Sequence, residues 1–205
     1  VNFLAHLVLA PQTPEGWVGS ILPDMVRGPL PRDLRPAVLE AAREHQRIDR
    51  YTDTHPAFVR TRDRLKDSIN PRLAGVLADV LYDHVLARDW SKWQGGSLAA
   101  FIDNAHQGFN DHEVLMPDDM RWRVRLMVDQ GWLASYQTPE GIRDRLVQMS
   151  ARLSHRLDRP MSLVIEPDDL QRIYTMIADD FDVLWSDLMD FVAEHRRNAA
   201  TRLAC

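Results

Sequence analysis

The sequence predicts an all-α fold, a single-domain helical bundle, and three observations carry that prediction. Apolar residues recur at spacings of three and four in nearly every segment, which is the period of one helix face. Most Pro residues fall between the periodic runs or at their starts, where they end or open helices instead of breaking them. No alternating run is long enough to build a sheet. The 205 residues are enough to bury a substantial core as one domain, 1–205.

Asn2 caps a first helix through about Ala10, where Pro11 and Pro14 interrupt it. Trp17 to Val26 resumes the helical pattern until Gly28, Pro29 and Pro31 force a loop. A long helix is expected from Asp33 to about Thr54, with Val38, Leu39, Ala42, Ile48 and Tyr51 facing the core and His55-Pro56 ending it. Ala57 to Asp67 forms a shorter, charge-rich helix. Asn70-Pro71 opens another, ending near Trp90, whose apolar stripe is Leu73, Val76, Leu77, Val80, Leu81 and Val85. Beyond the link at Gly95-Gly96, helices follow at about Leu98 to Asn110, Asp118 to Leu133, Pro139 to Leu157 and Pro167 to Arg197. Trp90, Trp93, Trp122, Trp132 and Trp185 read as core or as an interface, with core the default because large aromatics bury most of their area.

Hydrophobic residues at 45% and charged residues at 27% give the balance of a soluble globular chain. The single Cys205 leaves no disulfide within the chain and no cysteine-based metal site, which fits a reducing cytoplasm. No stretch approaches the roughly 18 to 20 apolar residues that span a bilayer, and the opening VNFLAHLVLAPQ lacks the basic leader of a signal peptide. The formal charge of −5 argues against general affinity for nucleic acid. No Walker loop, GxSxG or Cys–His pair is present, so metal-activated water is the economical chemistry.

His and Asp concentrate in the first half: His6, Asp24, His45, Asp49, Asp53, Asp79, Asp83 and His84. Residues four apart share a helix face, so His45, Asp49 and Asp53 line up, and Asp79 and Asp83 do the same on a later helix beside His84. Imidazole and carboxylate in such rows are the donors of Mn²⁺, Mg²⁺ and Zn²⁺ sites. Each residue taken alone reads first as structural, and Asp53 most of all, since it can organise the helix end before His55-Pro56. His6 is drawn inward by Phe3, Leu4, Leu7 and Val8, and a buried imidazole needs a partner. Asp24 sits in an equally apolar setting, with Arg27 as its ordinary ion-pair alternative. His106, His112, His155 and His195 lie in polar segments and are expected to face solvent.

Four segments in order, Asn2–Leu7, Gly19–Gly28, His45–Asp53 and Asp83–Trp90, resemble the acyl carrier protein phosphodiesterase family, closely through about the first ninety residues and more loosely afterwards. The resemblance implies a cytoplasmic, Mn²⁺-preferring hydrolase, with Mg²⁺ or another divalent cation as the alternative. Its substrate would be holo acyl carrier protein, cleaved to apo carrier and 4′-phosphopantetheine. It also implies a distant relation to the HD phosphohydrolases, although this sequence has only the reversed Asp83-His84 and no His-Asp dipeptide. On chemical grounds Asp24, His45, Asp49, Asp83 and His84 are the expected metal ligands, with His6 a further candidate. Arg27 and Arg47 are candidates to stabilise phosphoryl charge.

Acyl carrier proteins are acidic, so an acidic enzyme needs a local basic face to recruit one. Arg60, Arg62, Arg64 and Lys66 form one candidate cluster and Arg121, Arg123 and Arg125 another, each also readable as an ordinary solvated surface. Two alternatives remain open at this level. One is an HD-type phosphohydrolase of small nucleotides or other phosphoesters; the other is a non-catalytic helical binding module.

Overall fold

A computed structural model describes residues 1–31 and 33–203, the side chains of residues 200, 202 and 203 excepted; Cys205 lies outside the described residues. It contains helices α1 (Phe3–Leu9), α2 (Pro14–Met25), α3 (Pro36–Thr54), α4 (Pro56–Leu65), α5 (Ala74–Arg88), α6 (Trp90–Trp93), α7 (Leu98–Asp111), α8 (Asp118–Asp129), α9 (Trp132–Ser135), α10 (Pro139–Leu157) and α11 (Pro167–Leu203). Short 3-10 turns at Pro71–Leu73 and Glu113–Leu115 complete the regular structure, and there is no strand among the described residues. The fold is all-α.

Helix starts follow the capping chemistry of the sequence. Thr13, Ser97 and Thr138 each accept an N–H bond three residues on, from Gly16, Ala100 and Gly141, at 3.1 Å. α3 starts at Pro36 rather than at Asp33, because a proline at the first helical position keeps Arg35 extended. Two expected long helices are broken. The segment opened at Asn70 becomes a 3-10 turn, α5 and then α6 beyond Asp89. The segment from Asp118 to Leu133 divides at Gly131, whose φ of 59° turns the chain into α9.

α5 is the central helix. Rather than a stripe, it buries nearly its whole circumference, including Leu77, Val80, Leu81, Tyr82, Val85 and Leu86. Around it one contiguous apolar core runs from Val1 to Val192. α11 closes the bundle with two polar ties. Arg196 holds buried Glu44 of α3 in a two-point ion pair at 2.6 and 3.0 Å and also bonds the Leu9 carbonyl of α1. Buried Asp180 takes Arg60, Thr61 and Arg64 of α4. Trp90, Trp132 and Trp185 are buried as expected and Trp93 is half-buried, whereas Trp122 is 65% exposed on the outer face of α8. Of the late histidines only His155 is exposed; His106, His112 and His195 are half-buried, folded inward by the apolar faces of α7 and α11. No helix among the described residues is long and apolar enough to cross a membrane.

Candidate metal centre

The site begins with a glycine. A Cβ on Gly19 would lie 2.3 Å from the Val38 carbonyl oxygen and 2.6 Å from Ala41 Cβ, so α2 and α3 approach at backbone contact distance. That approach puts His45 Nδ1 2.6 Å from the Ser20 carbonyl. A carbonyl can only accept, so Nδ1 carries the hydrogen and Nε2 presents its lone pair in the neutral ring. Nε2 points at Asp49, one turn further along α3, at 2.9 Å.

His6 enters from α1. Its ring stacks on His45 with centroids 3.8 Å apart, and its Nε2 reaches the other Asp49 oxygen at 3.0 Å. Two imidazoles and one carboxylate thus bring three donor atoms within 4.8 Å of one another, a grouping fit to hold a divalent cation. His6 Nδ1 is buried without a hydrogen-bond partner. Asp24, at the end of α2, stands at the rim with Oδ1 3.8 Å from His45 Nε2 and its side chain 42% exposed, rather than buried as its apolar neighbours suggest.

The charges are interlocked. Burial, followed by repulsion from His45, lowers the His6 pKa to about 3, so its ring stays neutral. Burial also opposes a proton on His45, but the hydrogen bond and charge of Asp49, with Asp24 behind them, outweigh it and raise that pKa. Burial would lift Asp49 too; the bonds from the two histidines win and hold it well below the usual carboxylate range. Asp24 is raised, by burial first and then by repulsion from Asp49.

Asp24 and Asp49 open into a cavity of about 400 Å³ whose wall also carries Asp53, Asp79, Phe3 and Met149. Asp53, which the sequence assigns to helix-end organisation, therefore faces the same space one turn beyond Asp49. The signal for it was the four-residue spacing His45, Asp49, Asp53. Burial pushes the Asp79 carboxyl up to about 6.

The other candidates stand apart. Asp83 is fully buried in α5 and accepts from the backbone N–H groups of Asn2, Leu4 and Ala5 at 3.3, 2.7 and 3.2 Å, capping the first turn of α1 from a distance. Burial pushes its pKa up to about 7 against the pull of those bonds. His84 gives Nδ1–H to the Tyr136 carbonyl at 2.6 Å, and burial lowers its pKa. Arg27 is exposed in the loop after α2. Arg47 pairs with Glu40 at 2.7 Å, and helical spacing turns it away from His45 and Asp49. Both basic clusters are engaged internally. Arg60 and Arg64 go to Asp180, and Lys66 and Arg62 to Asp63. Arg121 bonds Asp118 and two carbonyls, Arg123 the Met25 carbonyl, and Arg125 Glu113.

The family model described as acyl carrier protein phosphodiesterase matches residues 1–188. The chain belongs to the acyl carrier protein phosphodiesterase family. Membership places it among phosphodiester hydrolases. Among the similar proteins, acyl carrier protein phosphodiesterase of Photorhabdus laumondii subsp. laumondii is 30% identical over 97% of this chain and 96% of the relative. Proteins of the same name are 33% identical in Yersinia enterocolitica, over 74% of this chain and 79% of the relative, and 28% identical in Serratia proteamaculans, over 92% and 96%. No solved structure matches the chain. Within this acyl carrier protein phosphodiesterase family member, every residue of the His6–His45–Asp49 cluster falls inside the matched span.

Proposed function

We propose that this protein is a divalent-cation-dependent phosphodiesterase that converts holo acyl carrier protein to apo carrier and 4′-phosphopantetheine. The observation that carries the reading is the convergence of His6 and His45 on Asp49, which itself lines a cavity, in a chain of this family. Three converging N and O donors, with a buried His6 Nδ1 left unpartnered beside them, suit Mn²⁺ or a similar ion. His6, His45 and Asp49 would hold it, with Asp24 completing the set from the rim. When bound, such an ion lowers the pKa of water and polarises phosphoryl oxygens.

The chain's own residues prepare that chemistry. Ser20 fixes the His45 ring and tautomer, so its Nε2 faces the donor cluster without rearrangement. Asp49 bridges both rings and keeps them oriented. In the hydrolysis the water oxygen bonds to phosphorus, the bond from phosphorus to the serine oxygen breaks, and that oxygen takes up a proton as the apo carrier leaves. Arg27, in the loop directly after the Asp24 turn, is the guanidinium we assign to the phosphoryl oxygens. The cavity lined by Phe3 and Met149 accepts the less polar part of the arm.

Intact-mass spectrometry of holo acyl carrier protein tests this. Loss of the phosphopantetheine mass only with enzyme and Mn²⁺ together is the expected result. Mass unchanged, with free nucleotides hydrolysed instead, would replace the carrier protein with a small phosphoester substrate.

A further inference from the structure

We infer that the arginine row of α10, buried at Arg145 and exposed at Arg152 and Arg156, is the surface on which the acidic carrier protein docks; the inference rests on the carrier being the substrate. Arg145, Met149, Arg152 and Arg156 follow one another at spacings of four, three and four, so they share one face of α10. Two observations tie that face to the cavity. Met149 itself lines the cavity wall. Trp132 lies 6.1 Å, ring to ring, from cavity-lining Phe3 and carries the Arg145 and Arg152 guanidinium groups 4.1 and 4.8 Å from its own centroid.

The charge state of this row sets it apart from the two clusters that looked more basic in the sequence. The cations of α4 and α8 are spent within the molecule, on Asp63, Asp180, Glu113, Asp118 and, for Arg123, the Met25 carbonyl. Arg152 and Arg156 are exposed and have no carboxylate within ion-pair distance among the described residues. The acidic residues of α10 itself, Glu140 and Asp144, fall on another face by the same helical spacing. The cavity lining, in contrast, carries four carboxylates, Asp24, Asp49, Asp53 and Asp79. An acidic partner is repelled by the carboxylates of the cavity and attracted by the α10 row, so the row holds the protein while its prosthetic arm reaches inward.

The test measures binding of purified apo acyl carrier protein, which lacks the arm, to the full-length enzyme at low and at physiological salt. Wild type should bind it in a salt-weakened manner. Arg152→Glu combined with Arg156→Glu should weaken binding at least about tenfold, and the two Arg→Gln changes should give an intermediate loss. Arg143→Glu, on the same helix but off the row, is the matched control and should change binding less than about twofold. Equal loss in the control, no loss in the double variant, or no binding by wild type would overturn the docking row. Holo carrier hydrolysis by wild type separates the two readings. Cleavage with undiminished binding by the double variant refutes the row alone. Row-dependent binding without cleavage refutes the catalytic reading alone.

Discussion

Two helices carry neighbouring His and Asp side chains, α3 with His45 and Asp49 and α5 with Asp83 and His84, and their polar atoms meet different partners. On α3 the side chains face one another and a third side chain, His6, and Asp49 lines the cavity. On α5 they face backbone: Asp83 takes three N–H groups of the α1 turn, and His84 gives its hydrogen to the Tyr136 carbonyl. Backbone groups are obligatory hydrogen-bonding partners, so a carboxylate spent on three of them is part of the fold. Side chains converging on one another, with a buried nitrogen left over, are a grouping that could hold a metal ion. We therefore assign chemistry to the α3 pair and stability to the α5 pair, and each assignment can be broken separately.

The largest effect is expected at Asp49. Asp49→Ala should cut Mn²⁺-dependent hydrolysis of holo carrier by at least about 100-fold, because it removes a donor and frees both rings it orients. Thermal stability should fall less than in Asp83→Ala, since the Asp49 carboxylate is partly exposed. Asp83→Ala reverses the pattern. Two buried N–H groups and one partly buried one lose their acceptor, and stability measured by denaturant should fall by about 2–4 kcal/mol. A fully stable Asp83→Ala protein would break the comparison.

Gly19→Ala probes the helix contact that presents His45. Forcing α2 and α3 apart should cost about 1–3 kcal/mol in denaturant unfolding and weaken Mn²⁺ binding through the lost Ser20 bond. The smallest effect is that of pH. Metal needs neutral imidazole, and His45 holds its proton above the ordinary 6.5, whereas His6, lowered to about 3, stays neutral throughout. Proton competition therefore sets in above pH 6.5, and Mn²⁺ affinity should decline as pH falls through that range. Affinity constant from pH 8 to pH 6 would contradict the His45 assignment.

The sequence made the helical class legible because helix periodicity and caps are local. The His45–Asp49–Asp53 row was legible for the same reason, and the apolar surround of His6 pointed inward correctly. Long-range partners were not legible. Nothing near Asp83 announces that the α1 backbone, about eighty residues earlier, takes up its oxygens. Nothing in the α4 run reveals Asp180 as its counter-charge, and the adjacent arginines of α8 conceal three separate partners. The arginine row of α10 was diluted in the sequence by acidic residues that the helix turns to another face.

The most direct test of the division between α3 and α5 is a Mn²⁺ titration, by calorimetry, of wild type, Asp49→Ala and Asp83→Asn, the last retaining an acceptor oxygen for the α1 turn. We predict that wild type and Asp83→Asn bind Mn²⁺ with the same stoichiometry and that Asp49→Ala loses binding. Retained binding in folded Asp49→Ala with loss in folded Asp83→Asn would move the metal centre to α5.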